Sequence, residues 1–142
     1  MGRREIVVGI IGVLLLASVS AAQTAAPPTK FVTPLKGQGH IEVLAPQSSQ
    51  QGNLLVTKMK VKNVSSGPLV GFKAEEYWYN AKGETVSGSP VFRLPKPFMP
   101  GEVIEVTLRS PKEPTMNRTL RTFGHQNGSI KATQVAKFKA DS

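Results

Sequence analysis

The sequence predicts an all-β fold, an antiparallel β-sandwich of seven to eight short strands behind a cleavable N-terminal signal helix. Residues 54–64 alternate apolar and polar side chains with a period of two, the pattern of a half-buried strand. Beyond residue 22 the chain carries all 11 prolines and 10 of its 13 glycines, which leaves little room for long helices. Short apolar runs are separated by turn signals at near-regular intervals, the spacing expected of an all-β sandwich.

The first 22 residues have the three parts of a secretory signal peptide. Arg3 and Arg4 are followed by the apolar run Ile6 to Ala17 and then by small residues up to Ala22. That run reaches about 18 Å as a helix, short of the ~30 Å hydrocarbon core of a bilayer, so no stable transmembrane anchor is expected after cleavage. Residues 23–37, with Pro27, Pro28 and Pro34, read as an extended linker. Residues 38–138 form the predicted β domain and 139–142 a tail. Within the domain, strands are expected at His40 to Leu44, Leu54 to Val64, Leu69 to Asn80, Glu84 to Ser87, Val91 to Leu94, Val103 to Arg109, Leu120 to Gly124 and Ser129 to Val135. Asn127-Gly128 between the last two is the preferred dipeptide of a type I′ hairpin, in which both turn residues take positive φ. Thr115 to Thr122 is the one stretch that could turn helical. The strand number and spacing argue for an antiparallel β-sandwich, with a small open barrel as runner-up. Phe72, Trp78, Met59, Val61 and Phe123 are its expected core, with Trp78 as anchor and its indole N–H seeking a partner.

Composition narrows the chemistry. The 142 residues include 18 Lys and Arg against 9 Asp and Glu, two His and no Cys. Disulfides, thiolate metal sites, cysteine nucleophiles and a lipid-acceptor cysteine are all excluded. Without the signal peptide the net charge is +8. No metal or cofactor is expected, because neither histidine has an Asp, Glu or His cluster at ligand spacing.

Val61-Lys62-Asn63-Val64-Ser65-Ser66-Gly67-Pro68-Leu69, then Trp78-Tyr79-Asn80-Ala81-Lys82-Gly83-Glu84, and later Leu94 and Pro100-Gly101-Glu102 form an ordered set of motifs. Over residues 55–110 this set resembles the FxLYD-type family of exported bacterial domains. The resemblance implies an immunoglobulin-type sandwich associated with the cell envelope and without enzymatic activity. The chain departs from the family pattern at Asn80, where Asp is usual, and at Glu76, where an apolar residue is expected.

The candidate binding residues are cationic and aromatic. Alternation in 54–64 sets Leu55, Thr57, Met59 and Val61 on one face and Lys58, Lys60 and Lys62 on the other, one charge every ~6.6 Å. In the next strand Lys73, Tyr77 and Tyr79 share a face, opposite Phe72, Ala74, Glu76 and Trp78. Were the two strands paired, Lys and Tyr would interleave on one surface suited to stacking sugars or bases. Glu75 and Glu76 point to opposite faces and cannot converge on one bond. A structural ion pair for Glu76, with an Arg from a facing strand, is preferred over catalysis.

The sequence thus leads to the expectation of a non-catalytic binding or assembly module, exported to the periplasm or beyond. Its partner would be a protein or an anionic envelope polymer; nucleic acid is disfavoured, and no small-molecule substrate is evident. A structural or adhesive subunit pairing through an exposed edge strand is the first alternative. A small hydrolase using Glu76, His40 or His125 is a disfavoured second.

Overall fold

The computed structural model describes residues 32–140; the predicted signal peptide, residues 23–31 of the linker and the last two residues lie outside that range. The described chain is all-β, with nine strands and no helix: β1 (Gly39–Leu44), β2 (Gln47–Gln51), β3 (Leu54–Asn63), β4 (Lys73–Tyr79), β5 (Thr85–Gly88), β6 (Phe92–Arg93), β7 (Val103–Pro111), β8 (Arg118–His125) and β9 (Gly128–Val135). Eight of these correspond to expected strands. The ninth, β2, reads Gln-Ser-Ser-Gln-Gln and is exposed throughout, so it carries no apolar alternation to betray it. The strand expected from Leu69 begins instead at Lys73, because Gly71 takes a φ of 69° and turns the chain before it. Leu69 forms an isolated bridge with Phe98. Arg118 to Thr122, the end of the stretch that could have been helical, belongs to β8.

The strands form one mixed sheet in the order β2-β3-β1-β9-β8-β4-β5, with β6 also on β4 and β7 on the other side of β3. The longest pairing is antiparallel β3 with β7, from Leu54↔Pro111 to Lys62↔Val103. A purely antiparallel sheet was expected, but β1 and β9 run parallel over six residue pairs, from Gly39↔Ile130 to Leu44↔Val135. This pairing joins the first strand to the last. The two ends of the path curl round a shared core. Ile41 and Val43 of β1, Met59 and Val61 of β3, and Val106 and Leu108 of β7 meet Phe72, Ala74, Leu69 and Phe98 from the β4 end. Phe72 and Phe98 pack edge to face with ring centroids 5.1 Å apart, which adds directional preference to the burial.

Of the expected core residues, Phe72, Met59 and Val61 are buried. Phe123 packs against the core at its margin. Trp78 is half-buried rather than an anchor, since it stands where the β4–β5 register shifts between Trp78 and Tyr79. Its indole N–H donates to Glu76 Oε1 at 3.1 Å. The end of the expected linker is also part of the packed structure. Leu35 lies against the core, and Leu35 N–H and Gly37 N–H donate to Pro68 O (2.8 Å) and Asn127 O (3.1 Å).

The β8–β9 hairpin is present, but its turn is not of type I′. His125 pairs with Gly128, so Gln126 and Asn127 are the turn residues. No described residue other than glycine has positive φ. Contacts from 35–37 account for this turn, because Asn127 both accepts from Gly37 N–H and donates through Nδ2 to Leu35 O.

Candidate functional site

The expected Lys/Tyr surface divides in two. β3 pairs with β1, β2 and β7, whereas β4 pairs with β5, β6 and β8, so the lysine row and the tyrosine row are not neighbours. On β3, Lys58 and Lys60 are exposed, and Lys60 stands opposite Glu105. Lys62 is only 6% exposed, which corrects its place in a solvated row. It stands opposite Glu42, and its Nζ donates to Lys139 O at 2.7 Å. The row is therefore shorter and partly offset by carboxylates.

On β4, Lys73, Tyr77 and Tyr79 adjoin residues that sequence reading missed. Residues directly opposite in an antiparallel pair share a face. Lys73 is opposite Arg93 on β6 and Gly124 on β8; Glu75 is opposite Thr122; Tyr77 lies between Leu120 and Gly88; and Tyr79 lies between Arg118 and Thr85. The result is an outward sheet face with three cations, one carboxylate and two tyrosines. Both tyrosines are half-buried, while Leu120 remains 50% exposed beside Tyr77. Tyr77 O–H donates to Glu75 Oε2 at 2.7 Å. That hydrogen bond, and then the negative charge of Glu75, raise the Tyr77 phenol above its ordinary value. Arg93, Arg118 and Leu120 sit in short segments without a distinctive motif, and only the strand register brings them beside the tyrosines.

On the opposite side of β4, Glu76 is fully buried and fully engaged. Its Oε2 accepts from Arg121 Nε at 2.9 Å, and its Oε1 accepts from Ser110 Oγ at 2.9 Å as well as from Trp78 Nε1. The arginine comes from the adjacent strand in register, Glu76↔Arg121, rather than from a facing strand. Ser110 belongs to β7, so this network ties the two ends of the sheet together. The three donors occupy three of the roughly four lone-pair sites of the carboxylate.

The histidines are held in different ways. His40 is exposed at the start of β1, where its main-chain N–H and C=O bond Ser65 Oγ. His125 is 7% exposed with Nε2 2.7 Å from Gly37 O. Since a carbonyl can only accept, Nε2 carries a proton. Among the described residues, no group of three or more His, Asp or Glu side chains is placed to hold a metal ion.

No family model matches the chain, and neither does any curated protein. Among solved structures, IrmA from Escherichia coli is similar at 10% identity, with 74% of this chain and 98% of that chain covered and a TM-score of 0.41. That likeness is too slight to transfer a fold. Among the described residues no helix is long and apolar enough to cross a membrane.

Proposed function

We propose that this chain is a non-catalytic binding module of the bacterial cell envelope, exported by residues 1–22. Its outward β4–β8 face takes an anionic polymer that carries sugar rings. The observation that carries the reading is the register that sets Tyr77, Tyr79 and Leu120 among Lys73, Arg93 and Arg118. Aromatic and aliphatic surface supplies stacking area and the flanking cations supply attraction to anions. Glu75 is turned toward Tyr77, which moderates the charge without closing the surface. The architecture is read as an immunoglobulin-like sandwich, with β1, β2, β3 and β7 in one layer and β4, β5, β6 and β8 in the other. The convergence of both groups on one core supports this reading.

The FxLYD-type resemblance belongs to the same proposal, supported by what its motifs do. Asn63 Oδ1 accepts from Ser65 N–H, and its Nδ2 donates to Gly67 O and Phe98 O. Gly101 N–H donates to Asn63 O. The first and third motifs thus meet at one buried asparagine. Asn80 Oδ1 accepts from the N–H groups of Lys82 and Glu84, so it shapes its turn as an aspartate would.

Calorimetry of residues 23–142 with heparin as an anionic polysaccharide probe, and neutral dextran as control, tests the function. Heparin should bind and dextran should not. Affinity should fall roughly tenfold between about 50 and about 200 mM salt. Changing Tyr77 and Tyr79 together to Ala should weaken binding, while changing Lys58 and Lys60 to Ser should matter less. Salt-independent binding, or equal loss from both pairs, overturns the proposal.

A further inference from the structure

β8 and β9 are joined only near their hairpin. Gly124 pairs with Ser129 and His125 with Gly128, after which β8 follows β4 and β9 follows β1. Among the described residues, no strand pairs with the other side of β8 over 118–123 or of β9 over 130–135. Two free edges therefore diverge from one turn. Between them lies a cleft of about 150 Å³ whose lining includes Val43 and Met59, with Arg121 and Phe123 from β8 and Ala132 and Gln134 from β9.

Exposure along the cleft departs from that of a closed layer. In the parallel register Ala132 stands beside Ile41 and Gln134 beside Val43. Ile41 and Val43 are buried, yet Ala132 and Gln134 are exposed. Arg121 and Phe123 share the face of Glu76 and Ala74 on β4, but are only half-buried. The core side of both strands is left uncovered where they separate.

The two strands that flank the cleft carry cations and no carboxylate, and the nearest carboxylates on their neighbours, Glu75 beside Thr122 and Glu42 beside Thr133, accept from Tyr77 O–H and Lys139 N–H. From Pro114 to Ala140 the chain has Arg118, Arg121, Lys131, Lys137 and Lys139 and no carboxylate. Glu76 meets the charge of Arg121, which leaves Arg118 and Lys131 exposed on the two strands.

We infer that this seam takes an extended acidic segment of a partner protein as an added strand. Free strand edges offer a row of main-chain donors and acceptors, which an extended peptide satisfies and a polysaccharide does not. Alternation then sends acidic side chains outward toward Arg118 and Lys131, and small apolar ones inward over Phe123 and Met59. A second copy of this chain is opposed by its strong positive charge. Residues 23–31 make a poor strand here, with Pro27, Pro28 and Lys30 and no carboxylate. The inference goes beyond polymer binding on the β4–β8 face.

The test uses residues 23–142 with a synthetic ten-residue peptide alternating Glu and Val. One control replaces Glu with Lys, and a second places Pro at the centre. Amide hydrogen exchange is followed residue by residue. The Glu/Val peptide should slow exchange over 118–123 by about tenfold or more, and the controls should not. Ala132→Trp, which plugs the cleft from an exposed position, and Lys131→Glu should each weaken peptide binding severalfold and leave heparin binding intact. Lys131→Glu serves alone if the tryptophan variant does not fold. Unchanged exchange over 118–123, or equal binding of the Lys/Val peptide, overturns the inference. Protection already present without peptide at those 118–123 amides that face away from β4 also overturns it. In that case a concentration-dependent dimer identifies a second copy as occupant, and a monomer identifies a segment of the same chain.

Discussion

At the residue scale, Glu76 is a fully buried carboxylate held by three donors. Removing one partner from a buried ion pair leaves a stranded charge, which typically costs about 3–5 kcal/mol. Arg121→Ala is therefore expected to destabilise the protein by about that much, with Glu76→Gln milder because Ser110 and Trp78 can still donate to an amide oxygen. Denaturant unfolding of both single variants and the double variant gives the coupling, which should exceed ~1 kcal/mol. Tyr77 supplies a second residue-scale prediction. Its phenol is raised by the bond to Glu75, so whatever that bond contributes is present below the ordinary phenol pKa and lost as pH rises through the folded value. Ultraviolet titration should find a tyrosine ionising above the ordinary phenol value, and Glu75→Gln should bring it down. Sequence alone identified Glu76 as a residue needing a partner. It could not name Arg121, because which strand lies beside β4 is set by long-range pairing rather than by local pattern.

At the scale of elements, turns are held by side chains that reach across them. Asn63 makes three side-chain hydrogen bonds, one of them to the carbonyl of fully buried Phe98. Asn63→Ala should cost about 2–3 kcal/mol, read by thermal or denaturant unfolding, because it strands buried main-chain groups. Gly128 meets segment 35–37 so closely that a Cβ there would lie 2.4 Å from Gly37 O. Gly128→Ala should therefore destabilise by about 1–3 kcal/mol and speed amide exchange at Gly37.

The turn into β7 is pH-linked through Glu102. Burial pushes its carboxyl up, but the hydrogen bond from Lys96, the Met99 N–H and the Lys96 charge together bring it below its ordinary value. Its contribution is thus present above the unfolded carboxylate value and lost as pH falls through the lowered folded value. Lys96 is 58% exposed, so that contribution stays under ~1 kcal/mol, and Glu102→Gln should remove a small part of the acid sensitivity of unfolding. Strand β3 was legible because of the alternation it carries within 54–63. β2 was not, and the hairpin turn was misread because tertiary contacts from Leu35 and Gly37 outweighed the preference of its dipeptide.

At the scale of the whole molecule, the nine strands of the described residues curl round one core without a disulfide, so packing and the Glu76 network hold the two ends of the sheet together. The curl also determines which charges can act together. The tail covers Lys62, and the curl sets Lys58 and Lys60 on a different strand group from the tyrosines while it gathers Arg93, Arg118 and Leu120 around them. Sequence pattern told the two faces of β3 and β4 apart. It did not tell which faces adjoin, and a binding surface is a property of adjoining faces. The most direct measurement is residue-resolved chemical-shift mapping of residues 23–142 on titration with a short heparin oligosaccharide. Perturbations centred on Lys73, Tyr77, Tyr79, Arg93, Arg118 and Leu120, fading as salt is raised, are the predicted result. Perturbations centred on Lys58 and Lys60, or none at all, would contradict the assignment of the β4–β8 face.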